Sequence, residues 1–320
     1  MTTTTSHVTT KIPPEMAGYR LDKALAELLP EYSRARLQQW IRDGHVQVNA
    51  EVLRGRDRVR GGEDVVLLAQ TEDQVDWTGQ SLPLSVLYED EDVIIVNKPA
   101  GLVVHPGAGN PDQTLVNALL HYAPELAQLP RAGIIHRIDK DTSGVLAVAR
   151  SLLGHTHLVA QLQAHTIVRE YQAVVCGVLV SGGTVNLPIA RHPTQRVRMA
   201  VVRSGKPAVT HYRVIQRYRA HTHIRARLET GRTHQIRVHL SHERYPLLGD
   251  PLYGGRLRYP PDSSEVFQKV LHDFQRQALH AERLGFQHPR TGDYMEWVVP
   301  LPEDMQQLLT ALADDMRLKN

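Results

Sequence analysis

The sequence predicts an α+β protein in which a small α/β unit precedes a larger domain with a mixed, largely antiparallel sheet. Residues 18–77 combine two helical patterns with short strands, whereas residues 84–310 hold more strand-like runs than helices. Several of those runs are adjacent along the chain, which favours antiparallel ribbons over a doubly wound parallel sheet. A polar stretch, residues 71–83, separates the two regions and is typical of a linker. The length of 320 residues leaves room for two domains of roughly 100–200 residues each.

The front unit is predicted from hydrophobic spacing. A first helix is indicated by leucines that share one helical face: Leu21, Leu25, Leu28 and Leu29. A second helix is indicated in the same way by Leu37, Trp40 and Ile41. Ser33 is a suitable N-cap for this second helix, and Gly44 is suited to end it. Strands are predicted at residues 46–48 and 65–68.

Seven arginines lie on two neighbouring segments of this unit: Arg34, Arg36, Arg42, Arg54, Arg56, Arg58 and Arg60. The last four alternate along the chain, which would place them on one side of an extended segment. An ordinary solvated face is the alternative interpretation. This number of arginines in a small unit favours a surface that binds along the phosphates of RNA. The RNA-binding candidates here are Arg34, Arg36, Arg54, Arg56 and Arg58.

The larger region begins with two strand-like runs, residues 86–88 and 93–97. Helices are predicted after Thr114 and from Ser151 to Gln163, with a buried strand at residues 144–149 between them. Strand-like stretches follow at residues 171–177, 195–203 and 207–228, and the last two are rich in arginine.

Composition narrows the class of protein. The single cysteine, Cys176, excludes an internal disulfide, and its apolar run predicts a buried small side chain in a reducing cytoplasm. The longest apolar runs fall well short of the ~18 residues of a membrane helix. The threonine-rich start has no apolar segment typical of a secretory signal. Residues 1–15 and about 310–320 are expected to be mobile tails.

No metal or cofactor is expected. Two His-x-His pairs occur, at residues 155–157 and 221–223, but no cysteine cluster or His-Glu-x-x-His pattern accompanies them. The sequence also contains neither of the two glycine-rich phosphate-loop patterns. The net charge of +3 with a pI of about 9.0 does not by itself predict a nucleic-acid partner.

The most informative stretch is the polar turn at residues 136–144, HRIDKDTSG, which a strand-like pair of isoleucines precedes and a buried strand follows. Reactive groups are often placed on loops that rigid elements hold. The turn carries two carboxylates, Asp139 and Asp141. Residue types alone leave four roles open for them: nucleophile, acid/base pair, metal ligands or turn formers.

This turn resembles the catalytic motif of the ribosomal large-subunit pseudouridine synthases of the RluA type. Four further blocks resemble that family in the same order, at residues 97–106, 169–173, 231–239 and 247–254. The front unit resembles the S4 RNA-binding module over about fifty residues. Ile138 is a departure, because leucine is expected there; this is a volume-conserving change.

The resemblance implies isomerisation of uridine to pseudouridine in large-subunit (23S) ribosomal RNA without a cofactor. Asp139 would be the nucleophile at C1′ of the ribose, and Arg237 would favour its charged form by ion pairing. Tyr171 would stack on the uracil and is a candidate for handling the proton on C5. Arg137 is hypothesised to stack in the position that the flipped base vacates. Asp141 is expected to shape the loop.

Other functions remain open at this point. A non-catalytic RNA-binding assembly factor would suit the arginines, but it would not need Asp139, Tyr171 and Arg237 together. A glycoside hydrolase is disfavoured, because two carboxylates so close on a tight turn would not face each other across a substrate. Transfer RNA is the alternative substrate. We expect a cytoplasmic monomer, outside any membrane, that acts on ribosomal RNA, either free or within an assembling 50S subunit.

Overall fold

The structure is a computed structural model that describes residues 4–29, 32, 34–71, 77–107, 109–195, 197–255, 257 and 259–317. The chain divides into two compact units, Met1–Asp76 and Trp77–Asn320. No helix in these described ranges is long and apolar enough to cross a membrane.

The first unit packs two short helices on a three-stranded antiparallel sheet. Its elements are β1 (Thr4–Lys11), α1 (Leu21–Leu28), α2 (Arg34–Arg42), β2 (Val46–Val48) and β3 (Asp64–Thr71). The strand order is β1-β3-β2. The leucine face of α1 and the Leu37, Trp40 and Ile41 face of α2 form one buried core with the sheet. Gly44 follows α2 with φ of 78°, as a C-terminal stop requires. Ser33, the expected cap, lies outside the described residues.

The expectation of a mobile N-terminal tail is wrong from residue 4 onwards. Residues 4–11 form β1, and each of them is paired with a residue of β3. Ile12, which follows the strand, is completely buried. Threonine is a β-branched residue, and β-branched residues favour strands. The threonine-rich segment therefore forms an edge strand.

The arginine-rich segment 54–60 is not the extended row that alternation predicted. The carboxylate of Asp57 accepts the backbone N–H of Arg54 at 2.8 Å, and the backbone N–H of Asp57 donates to the Arg54 carbonyl at 2.8 Å. These bonds make a turn, a local use of aspartate that a two-residue period cannot reveal. Arg54, Arg56 and Arg58 are nonetheless exposed.

The second unit is built on one nine-stranded sheet. Its helices are α3 (Leu115–Tyr122), α4 (Leu152–Gln163), α5 (Gln235–His242), α6 (Glu265–Asp273) and α7 (Glu303–Arg317). The sheet strands are β4 (Val86–Glu89), β5 (Val93–Lys98), β6 (Ser143–Ala149), β7 (Val168–Cys176), β8 (Gly183–Asn186), β11 (Val209–Arg217), β12 (His221–Leu228), β13 (Leu279–Gln287) and β14 (Tyr294–Val298). Strands β9 (Ile189–Arg191) and β10 (Met199–Val201) form a separate ribbon.

The strand order is β4-β5-β6-β13-β7-β12-β11-β8, with β14 paired to β13. Pairing is antiparallel throughout except between β13 and β6. This arrangement confirms the predicted α+β class with a mixed, largely antiparallel sheet. The predicted helices after Thr114 and Ser151 are present, and Ser151 caps α4 by accepting the Gly154 N–H.

The C-terminal tail was also expected to be mobile, and up to residue 317 this is wrong. Helix α7 covers Glu303–Arg317 and buries Met305, Leu308 and Leu312 in a core shared with α6. The spacing of these side chains is helical, so the sequence already contained the apolar face that holds this segment in place.

Two features of the sheet position the loop at residues 136–142. Strand β6 begins at Ser143 directly after it, and its Gly144 is paired with Lys98 of β5 and Ala281 of β13. Gly144 has φ of 120°, and a Cβ there would lie 2.1 Å from the Ala281 carbonyl oxygen. Only glycine allows this close approach of three strands.

Candidate active site

The loop that carries Asp139 is held from below by a buried lysine. Lys98, the last residue of β5, is completely buried, and its Nζ donates hydrogen bonds of 2.8 Å to three carbonyl oxygens, those of Pro99, Leu102 and Lys140. Burial lowers the pKa of this amine to about 7, while Asp141 and Asp139 favour the charged form. The ammonium thus joins the segment after β5 to the loop beside Asp139.

Replacing Lys98 should destabilise the fold and displace the loop that carries Asp139. Lys98→Met keeps a similar length but leaves buried carbonyls without their donor, so we expect the free energy of unfolding to fall by about 3 kcal/mol. Displacement of Asp139 by about 1 Å should slow catalysis roughly 10²-fold. Urea unfolding and single-turnover rates measure the two effects. Lys140→Met, at an exposed position of the same loop, should leave stability unchanged; equal destabilisation by both variants would contradict this role of Lys98.

Further contacts pin the loop from the side of β13. Arg276 Nη1 donates to the Asp141 carbonyl at 3.1 Å, and Gln277 Nε2 donates to Thr142 Oγ1 at 3.1 Å. Within the loop, the Thr142 N–H donates to the Asp139 carbonyl at 3.1 Å. The Asp139 side chain is 17% exposed, so it is held in place and yet accessible.

Arg237 lies on α5 and joins Asp139 to a second carboxylate. Its Nη1 donates to Asp139 Oδ2 at 2.9 Å, while Nε and Nη2 donate to the two oxygens of Asp250 at 2.7 and 2.9 Å. The guanidinium is 4% exposed and the Asp250 side chain is fully buried. Burial lowers the pKa of Arg237, but the hydrogen bonds and charges of Asp250 and Asp139 outweigh it and raise the pKa above the ordinary value.

Asp250 is itself held by the backbone. Its Oδ1 accepts the N–H groups of Leu252 and Tyr253 at 2.9 and 3.0 Å. The Arg237 guanidinium also lies 5.1 Å from the centre of the Tyr253 ring. A bidentate pair with this much support fixes the direction in which the third arm of Arg237 meets Asp139.

His234 and Gln235, the N-cap and the first residue of α5, set the start of this helix. His234 adopts the left-handed conformation, with φ of 57°, and its Nδ1 lies 2.9 Å from Tyr253 Oη. Its Nε2 is 3.9 Å from Asp139 Oδ1. Gln235 accepts the N–H of Arg232 and the hydroxyl of Thr230, at 2.9 and 2.8 Å, and so orders the preceding loop.

Tyr171 lies on β7 and reaches the same site from the sheet. The residue is 6% exposed and belongs to the main core cluster. Burial raises the pKa of its hydroxyl, the neighbouring Arg169 lowers it, and the charge of Asp139 raises it. Tyr171 is therefore a neutral phenol at ordinary pH.

A cavity of about 950 Å³ brings these side chains together. It is lined by Asp139, Tyr171 and Arg237 and also by Arg137. Arg137 is exposed, and its Nη1 lies 3.3 Å from His105 Nε2 at the wall. The volume exceeds that of one nucleobase, and drug-sized ligands occupy pockets of roughly 300–1,000 Å³.

The structure adds site residues that the sequence did not single out. Three further residues contact Asp139 or the groups that hold it: Asp250, His234 and Lys98. All three lie within blocks of the family resemblance. Their position within these blocks was the feature of the sequence that could have identified them as site residues. The candidate arginines of the first unit belong to the other compact unit of the chain. The side chains of Arg34 and Arg36 lie outside the described part of the structure.

Among the described residues, no group of three histidine, cysteine, aspartate or glutamate side chains is arranged to hold a metal ion. The His-x-His pair at residues 221 and 223 is buried on β12. His223 Nε2 lies 2.6 Å from Gln172 Oε1, which is a hydrogen bond within the sheet.

Comparison with known proteins identifies similarities over nearly the whole chain. The family described as RNA pseudouridylate synthase matches residues 92–242, and the S4 domain matches residues 20–65. The chain is 55% identical over 305 residues to ribosomal large subunit pseudouridine synthase D of Pseudomonas aeruginosa, covering 95% of each protein. It is 53% identical over 309 residues to the Escherichia coli (strain K12) protein with the same description, covering 96% of this chain and 95% of that protein.

A solved structure shares the architecture of most of this chain. Human RNA pseudouridylate synthase domain containing 4 aligns with a TM-score of 0.56 and 26% sequence identity. The alignment covers 72% of this chain and 93% of the human chain.

Proposed function

Because the chain belongs to the RNA pseudouridylate synthase family, we propose that it isomerises specific uridines of large-subunit ribosomal RNA to pseudouridine, with Asp139 as its catalytic nucleophile. The observation that carries the assignment of Asp139 is its 2.9 Å ion pair with Arg237 on the wall of a cavity that Tyr171 also lines. The substrate class is supported by the high identity to synthases described as acting on the ribosomal large subunit.

The side chains that line the cavity support this reaction. Pseudouridine formation breaks the bond between C1′ and N1 and makes a bond between C1′ and C5, with no change in oxidation state. Asp139 would attack or stabilise C1′, while Arg237 keeps its carboxylate oriented. The buried ring of Tyr171 would stack on the uracil, and its hydroxyl would take part in transfer of the C5 proton.

The direct test of the function is release of tritium from C5-labelled uridine in large-subunit ribosomal RNA. The native chain should release it, and the product nucleoside should be pseudouridine. Transfer RNA labelled in the same way serves as the competing substrate. Release from transfer RNA alone would overturn the ribosomal assignment, and binding of ribosomal RNA without release would support a non-catalytic assembly factor.

Tyr171→Phe separates stacking from proton transfer. The variant keeps the ring in its buried position but removes the hydroxyl, so RNA affinity should change by less than about threefold. Loss of a group that handles a proton typically costs about 10²–10⁴-fold in rate. Tritium release and a filter-binding assay measure the two quantities. Full activity of the variant would restrict Tyr171 to stacking.

Arg137 would fill the place that the target base leaves. Its guanidinium is exposed beside the cavity, where it can stack in a helical gap. Flipping costs a few kcal/mol in a structured RNA and least in a single strand. We therefore expect Arg137→Ala to slow turnover about tenfold more on folded ribosomal RNA than on an unstructured fragment, as measured by kcat/KM on both. Equal losses on the two RNAs would contradict this role.

The first unit would supply additional RNA affinity. The S4 match and the exposed side chains of Arg54, Arg56 and Arg58 support this assignment. Arg54 is paired with Asp57 and Arg58 Nη1 donates to the Gly18 carbonyl, so these two arginines are also tied to the fold. We propose that the chain works as a monomer in the cytoplasm, on free ribosomal RNA or on an assembling subunit. The single unpaired Cys176, half-buried in a core, is compatible with a reducing compartment.

A further inference from the structure

Arg169 is a buried cation to which the reaction outlined above gives no role. It lies on β7 two residues before Tyr171, so the two side chains share one face of the sheet with Cα atoms about 7 Å apart. Both line the 950 Å³ cavity that contains Asp139. Only 6% of Arg169 is exposed.

The positive charge of the Arg169 guanidinium is offset by few contacts. Nη2 donates to the Glu229 carbonyl at 2.9 Å, whereas Nε is buried without an acceptor. Among the described residues, no carboxylate forms an ion pair with it. Burial lowers its pKa, the Tyr171 hydroxyl raises it, and Arg232 lowers it. A buried charge without a partner costs several kcal/mol, so folding alone does not account for an arginine here.

The neighbouring chain leaves room for this side chain. A Cβ at position 231 would lie 2.6 Å from Arg169 Nη1, and glycine occupies that position. The loop that contains Gly231 is in turn ordered by Gln235, which accepts the Arg232 N–H. The Arg169 side chain therefore packs against the backbone of Gly231 and remains part of the cavity wall.

We propose that Arg169 is a further catalytic residue, whose guanidinium binds a carbonyl oxygen of the uracil and stabilises the negative charge of the ring while it is detached from the ribose. This inference rests on the proposed function. When Asp139 attacks C1′, the bond from C1′ to N1 breaks, and its electron pair stays on the uracil, shared among N1, O2 and O4. After the ring turns, C5 forms the new bond to C1′ as Asp139 departs. The C5 proton then passes to a base and N1 takes up a proton, so that the product is an isomer of the substrate.

The timing of the charge explains how Arg169 would accelerate the reaction. Uracil is neutral in the substrate and anionic only after the bond breaks, so a fixed cation binds the transition state better than the ground state. A donor that is already in place in a water-poor site is worth about 10²–10³-fold in rate. The cavity wall beside Tyr171 is where the base must lie if that ring stacks on it. A backbone phosphate is the less suitable partner for a side chain at this depth.

The test compares two substrates, uridine and 5-fluorouridine, at one position that the native chain modifies. The leaving group is uracil in the first and 5-fluorouracil in the second. Fluorine withdraws electrons and stabilises the uracil anion, so the second substrate depends less on a cation. We expect Arg169→Gln to slow single-turnover conversion of uridine about 10²-fold at saturating enzyme. Cleavage of the 5-fluorouridine glycosidic bond should slow by less than about tenfold. RNA affinity should change little, and the melting temperature should stay the same or rise, because an unpaired buried charge is removed.

Two further variants make the result specific. Arg169→Lys keeps a cation in the cavity and should show a smaller loss with the same preference for 5-fluorouridine. Arg232→Gln removes a charge from a half-buried arginine on the same cavity wall and should weaken affinity for both substrates alike. Equal slowing of both substrates by Arg169→Gln would overturn the proposal in favour of a packing role. A loss of RNA affinity without slower chemistry would overturn it in favour of a phosphate contact. Inactivity of the native chain on uridine would instead refute the proposed function.

Discussion

Asp139→Asn is expected to abolish release of tritium from C5-labelled ribosomal RNA, with a loss of at least about 10⁴-fold, as found when a nucleophile is removed. Asparagine keeps the shape of the side chain and can still accept the hydrogen bond from Arg237 Nη1. The amide cannot serve as an anionic nucleophile at C1′. Affinity for RNA should therefore change by less than about threefold, and the rate loss should appear in single-turnover measurements.

The matched control for this change is Asp141→Asn. Asp141 lies in the same turn, and the contact that holds it to the surrounding structure uses its main-chain carbonyl, which accepts from Arg276. We expect this variant to retain activity within about tenfold, because the backbone bond survives the substitution. Comparable losses for both variants would indicate that the two carboxylates act as a pair, and would contradict the assignment of Asp139 alone.

Arg237→Met should have the second large effect, on stability as well as on rate. The change leaves the fully buried carboxylate of Asp250 without its cation, and removal of one partner of a buried ion pair costs about 3–5 kcal/mol. The same change frees Asp139 from its 2.9 Å partner, so tritium release should fall at least about 10³-fold. Urea unfolding and single-turnover assays at saturating RNA measure the two effects.

A double variant separates the two roles of Arg237. Asn at position 250 can still accept the N–H groups of Leu252 and Tyr253 but carries no charge. Arg237→Met with Asp250→Asn should therefore recover about half or more of the lost stability. Activity should remain low, since Asp139 still lacks its partner. Recovery of activity together with stability would mean that Arg237 serves only to neutralise Asp250.

Local patterns in the sequence were enough for much of the fold. Helices α1, α2, α3 and α4 follow from apolar spacing and capping residues, because these determinants act within a few residues along the chain. The turn around Asp139 and the strand after it were predicted from local residue patterns in the same way. Where a local pattern permits two structures, the prediction failed. The arginine-rich segment 54–60 alternates like a strand but turns because Asp57 bonds to the backbone of Arg54.

The family resemblance supplied the names of three site residues, but their relation to one another depends on contacts between distant segments. Asp139 and Arg237 are 98 residues apart, and they meet because the fold brings the loop before β6 to α5. The sequence by itself determined the class of fold, the family and the identity of the candidate nucleophile. Only the tertiary structure decided that Asp250 holds Arg237 and that Lys98 anchors the loop of Asp139. It also decided that Arg169 lies beside Tyr171 with a buried Nε that has no acceptor among the described residues. Burial and charge pairing are properties of packed surroundings, and no spacing along the chain encodes them.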